Sequence, residues 1–137
     1  MKILGICFFC IALTACAEPT GIKEQSPITD KLVELSGSSA IECGTFPLHS
    51  NLKRGWACAM ETEAKARPFW LAVQAQGIDS HVWIGIGRDK AGEKYVVNYD
   101  SNPGGGPEIN PKITIEPCKG NFEWAHEAAR VLGCSAP

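Results

Sequence analysis

The chain has 137 residues, a formal charge of −2, 45% hydrophobic residues and 20% charged residues. That is the length of one ordinary domain, long enough to bury a core. No basic block is present, which argues against nucleic acid as a partner, and seven cysteines make the redox compartment the first question.

Cys7-Phe8-Phe9-Cys10 has the C-x-x-C spacing of redox and metal sites, but it lies inside the apolar run Ile3 to Leu13, behind a single cation, Lys2. A cation followed by a short apolar run is the grammar of an export signal, and the run falls short of the ~20 residues a membrane span needs. It ends in Leu13-Thr14-Ala15-Cys16. This resembles the lipobox of bacterial lipoproteins, in which small residues precede a cysteine that receives the lipid. The resemblance implies a signal peptide over 1–15 and lipid on Cys16, which would hold the protein to a membrane. Ala17, where an Asp would retain the protein at the inner membrane, implies the periplasmic leaflet of the outer membrane. Residues 16–28 are polar, contain Pro19 and Pro27, and read as lipid anchor and flexible tether, followed by a single domain over 29–137.

Thr29 or Asp30 is placed to cap a short helix over Lys31 to Leu35, stopped by Ser36-Gly37. Residues 40–50 read as extended chain. A second helix is expected over 52–67, capped by Ser50 or Asn51, with Leu52, Trp56, Ala59, Met60 and Ala64 at helical spacing and Pro68 ending it. The period then changes to two. Phe69 to Gln76, His81 to Ile86 and Lys94 to Asp100 alternate as strands of two consecutive hairpins. Pairing Val73 with Val82, and Arg88 with Glu93 across the Asp89–Gly92 turn, sets apolar residues opposite apolar ones. Beyond a Pro- and Gly-rich loop over 101–111, Ile113 and Ile115 suit a fourth strand. Phe122, Ala125, Ala129 and Leu132 suit a last helix over Asn121 to Leu132. The expected fold class is α+β: an antiparallel meander of about four strands packed against a helix, with a C-terminal helix and two disulfides.

Setting aside Cys7, Cys10 and Cys16 leaves Cys43, Cys58, Cys118 and Cys134, an even number in an oxidising compartment. Of three possible connectivities, Cys43–Cys58 and Cys118–Cys134 close short local loops, each worth on the order of 3 kcal/mol. The spacing of Cys43-Gly44, Cys58, Arg67-Pro68-Phe69, Gly77-Ile78-Asp79-Ser80 and Tyr99-Asp100-Ser101 is similar to that of small secreted bacterial proteins of unassigned function. Over 43–101 that resemblance implies a disulfide-stapled domain and no activity.

In the expected register the 52–67 helix covers Phe69, Leu71, Ile84 and Val97. The opposite face then carries Trp70, Gln74, His81, Trp83, Asn98 and Asp100. Tryptophans beside hydrogen-bonding groups suit a contact surface for an envelope protein or a small ligand. His81 beside Asp100, with Ser80 or Ser101 near, raises an acid–base reading. Asp100-Ser101-Asn102 opens like a calcium loop but continues with Gly104 and Pro111 where ligands belong. Neither a metal nor a cofactor is implied. The function expected is that of a non-enzymatic, lipid-anchored binding protein, one version being an inhibitor of an envelope-attacking hydrolase. The alternative is a small periplasmic hydrolase using His81 and Asp100.

Overall fold

A computed structural model describes residues 25–125 and 131–137, so the signal peptide, Cys16 and most of the tether lie outside the described residues. The elements run α1 (Thr29–Ser36), β1 (Ile41–Phe46), α2 (Lys53–Ala64), β2 (Phe69–Ala75), β3 (Val82–Arg88), β4 (Lys94–Asp100), β5 (Lys112–Pro117), β6 (Phe122–Ala125) and β7 (Val131–Cys134). The fold is α+β, with a five-stranded sheet ordered β1-β2-β3-β4-β5 and a separate β6–β7 hairpin. β2 to β5 form the expected antiparallel meander. The additional strand, β1, was expected only as extended chain. β1 pairs parallel to β2, with a register shift between Glu42 and Thr45, and a parallel partner requires the crossover that α2 supplies.

Both hairpin registers differ from the sequence expectation. Across the first turn Ala75 faces Val82 and Val73 faces Ile84, a slip of two residues that leaves every side chain on its face. Across the second, Arg88 faces Lys94, a slip of one, which sends Tyr95, Val97 and Tyr99 to the face opposite the one expected. The cause is the turn. The Asp89 N–H donates to the Glu93 carbonyl, the Glu93 N–H donates to Asp89 Oδ1, and Gly92 sits at φ +91°. Asp89 and Glu93 therefore pair around a three-residue loop that ends in a left-handed residue, which glycine adopts without steric cost.

The sheet is consequently buried on both faces. On one, α2 and the β6–β7 hairpin cover Phe69, Leu71, Val73, Ile84, Ile86 and Val96. On the other, Ile28 and Leu32 of the α1 segment pack on Trp70, Ala72, Trp83, Tyr95 and Val97. α1 begins at Thr29 without a side-chain cap, Ile28 occupying the cap position. Ile28 and Leu32, four apart and fully buried, form the stripe that holds it down. In α2 the Asn51 side chain accepts the Lys53 N–H at 3.0 Å. The buried stripe is Gly55, Ala59 and Thr62, with Ala64 exposed. The helix stops at Ala64, short of residue 67. Ala66 turns left-handed (φ 52°), its N–H reaching the Glu63 carbonyl while that of Arg67 reaches Thr62, a Schellman closure that satisfies the last carbonyls.

The C-terminal helix is replaced by β6 and β7, with residues 126–130 outside the described residues. Phe122 is buried, Glu123 exposed, Trp124 half-buried and Ala125 exposed, a period of two. Both expected disulfides are present, with Cα–Cα distances of 5.5 Å for Cys43–Cys58 and 5.6 Å for Cys118–Cys134. The second favours a hairpin over the helix. A helix over 121–132 holds its ends ~17 Å apart. The bridge spans 5.6 Å of that separation, and the links to Cys118 and Cys134, three and two residues long, would have to fold back along the helix over the remaining ~11 Å. A hairpin pairing Phe122 with Cys134 closes it at once.

Candidate interaction surface

The six residues expected to share one exposed face are divided. Trp70 and Trp83 are 4% and 5% exposed and belong to the core beneath α1. Their burial corrects the expectation of an open aromatic surface, and the cover is the N-terminal helix α1. Gln74 is half-buried, its Oε1 accepting the Leu48 N–H at 3.0 Å and so tying the loop after β1 to β2. Asn98 and Asp100, even-numbered on β4, point to the α2 side. His81 is exposed just before β3, where its backbone N–H donates to Ser101 Oγ at 2.8 Å and its carbonyl accepts the Ser101 N–H.

Asp100 faces Val82, the neighbour of His81, so alternation sends the His81 and Asp100 side chains to opposite faces. Asp100 Oδ1 instead accepts the Asn102 N–H at 2.9 Å, and Asn102 Nδ2 donates to the Gly106 carbonyl at 3.1 Å. These bonds start and pin the glycine-rich loop. Among the described residues no three His, Cys, Asp or Glu side chains group closely enough to hold a metal ion.

What the topology does assemble is one end of the sheet. Because β1 is parallel to β2, the loops 47–51, 76–81 and 101–111 all leave from the same end. Ile78, at the β2–β3 turn, is 99% exposed, and Ile109, on the 101–111 loop, is 79% exposed. Leu48, Gln74, Ile78 and His81 line an open depression of about 320 Å³ there. His49 in the first loop holds φ 69°, a conformation uncommon outside glycine that the Pro47–Ser50 turn imposes. Sequence reasoning named Ile78 and the 101–111 loop without joining them, because their proximity depends on the parallel β1 and on the order of strands. Its available signal was an isoleucine in a Gly-Ile-Asp-Ser turn, where solvent-exposed positions ordinarily take polar residues.

Comparison with protein-family profiles, with curated proteins and with solved structures gave no match.

Proposed function

We propose that this chain is a lipid-anchored envelope protein, held at the periplasmic leaflet of the outer membrane through Cys16, whose disulfide-stapled domain binds a protein partner through the 47–51, 76–81 and 101–111 loops. The observation that carries the binding surface is Ile78, an isoleucine left in solvent at a turn tip, with Ile109 exposed at the same end. Removing such side chains from water contributes roughly 1.5–3 kcal/mol each. The anchor rests on Leu13-Thr14-Ala15-Cys16. Within this reading we favour an inhibitor of an envelope-attacking hydrolase, since an apolar loop tip suits entry into an enzyme cleft.

The test uses the full chain expressed in a two-membrane bacterium. Cys16→Ser is expected to abolish radiolabelled-lipid incorporation and release the protein from outer-membrane fractions. Ile78→Asp with Ile109→Asp is expected to leave thermal stability within about 0.5 kcal/mol, as exposed substitutions do, and to abolish capture of the partner from envelope extract. Unchanged capture sinks the surface, whereas unchanged fractionation sinks the anchor. The hydrolase alternative predicts instead that His81→Ala and Asp100→Ala remove an activity while capture persists.

A further inference from the structure

Among the described residues the outer edge of β5 has no partner strand, and its pattern suits pairing with itself. Its backbone phase follows from one bond: the Cys118 N–H donates to the Lys94 carbonyl at 2.8 Å. By antiparallel alternation Glu116, Thr114 and Lys112 also turn their N–H and C=O groups toward β4. Ile113 and Ile115 therefore direct theirs away from the sheet, where β5 is the terminal strand. Pro111 and Pro117, next in the same phase, have no N–H to offer and bracket the open segment.

We infer that this edge joins a second copy of the chain as an antiparallel β5–β5 pair around a two-fold axis at Thr114. Only registers that set outward-pointing residues opposite each other satisfy the backbone, and the side chains choose among them. With Ile113 opposite Ile115 of the second copy, Thr114 meets Thr114 and Lys112 meets Glu116, twice. A shift of two residues in either direction destroys both charge pairs and puts a proline opposite an isoleucine. Four interstrand hydrogen bonds form in the chosen register, and the two prolines meet at its ends. Ile113 and Ile115, 42% and 46% exposed, lie on the α1 side with Val97 and Tyr99. In the pair the four isoleucines cover one another, while the ion pairs occupy the other side. Each copy spends its single β5 edge, so the assembly stops at two. One strand pair buries less than the ~1,200 Å² of a stable interface, so the dimer is concentration-dependent. The inference does not depend on the loop-end reading.

The experiment is sedimentation velocity on the purified full chain, with oxidative cross-linking of Thr114→Cys. Residues facing each other outside the hydrogen-bonded pairs stand about 4.5 Å apart, within disulfide reach. Thr114→Cys is expected to give a covalent dimer on a non-reducing gel, and Ala91→Cys, exposed on the β3–β4 turn, is expected not to. Lys112→Glu or Glu116→Lys alone sets like charges opposite twice and is expected to weaken association roughly tenfold. The double swap restores opposite charges, and with them association to within about twofold. Lys112, Glu116 and Ala91 are exposed and Thr114 is half-buried, and circular dichroism checks that each variant is folded. A chain that sediments as a monomer up to about 1 mM, or single swaps that change nothing, overturns the inference. So does a β5 edge whose variants affect only capture of a different protein.

Discussion

Tyr95 carries a hydroxyl into the apolar layer between α1 and the sheet, where it meets Ser36 Oγ and lies 3.4 Å from the Leu32 carbonyl. Its ring lies over Gly87, where any Cβ would collide with it, just as a Cβ on Gly85 would strike Leu32. Burial, the main cause, raises the phenol from 10.0 to about 12. The Ser36 hydrogen bond opposes the rise, and the charge of Asp89 adds to it. An unfolded chain ionises tyrosine near pH 10, so between about pH 10 and about pH 12 unfolding releases a proton and stability falls as pH rises. The contribution is complete below pH 10 and is lost as pH passes through the folded value. Tyr95→Phe is expected to cost about 1 kcal/mol at neutral pH, because the buried hydrogen bond to Ser36 is lost while Ser36 keeps its bond to the Leu32 carbonyl. It is also expected to flatten the decline above pH 10. Thermal melts across that range check it, and parallel declines in both proteins would refute the assignment.

At the scale of elements, the meander was legible because alternation survives in β2, β3 and β4. The β6–β7 hairpin was not, because Phe122, Ala125, Ala129 and Leu132 fit a helical period as readily. A covalent link favours the hairpin. Cys118–Cys134 fastens the end of β5 to the last strand, and Lys94 adds a hydrogen bond to the Gly120 carbonyl at 2.5 Å with its ammonium 5.4 Å from the Phe122 ring. Replacing both cysteines by serine is expected to cost about 3 kcal/mol. Hydrogen exchange should show β6 and β7 losing protection while β2–β4 keep theirs. Uniform loss across the sheet would mean that the hairpin and sheet form one cooperative unit.

At the scale of the whole molecule, the sequence carried the two-layer part of the architecture and hid the third layer. The sign of a covering element was present in Trp83-Ile84-Gly85-Ile86-Gly87, where the glycines share the face of Trp83. A strand bare of side chains on one face marks the close approach of another element. The short helix over Lys31 to Leu35 was expected and is present as α1, but its place over the sheet was not legible, and the turn at Gly92 concealed which face Tyr95 and Val97 would take. The open Trp70 and Trp83 surface inferred from sequence was therefore a core seen without its cover. Leu32→Ala is expected to destabilise the fold by roughly 2–5 kcal/mol. Because the cavity opens beside both tryptophans, a red shift of fluorescence before global unfolding is the accompanying observable. A single transition with no such shift would show α1 and the sheet unfolding together.

The placement of α1 also sets how the domain answers tension. A pull through the chain preceding Ser26 arrives at Ile28, then Leu32, and neither disulfide brackets these residues. Force applied there peels the helix from one end, contact by contact, and leaves the stapled sheet intact. Trp70 and Trp83 would be uncovered at that moment, making this layer a mechanical fuse with its own optical readout.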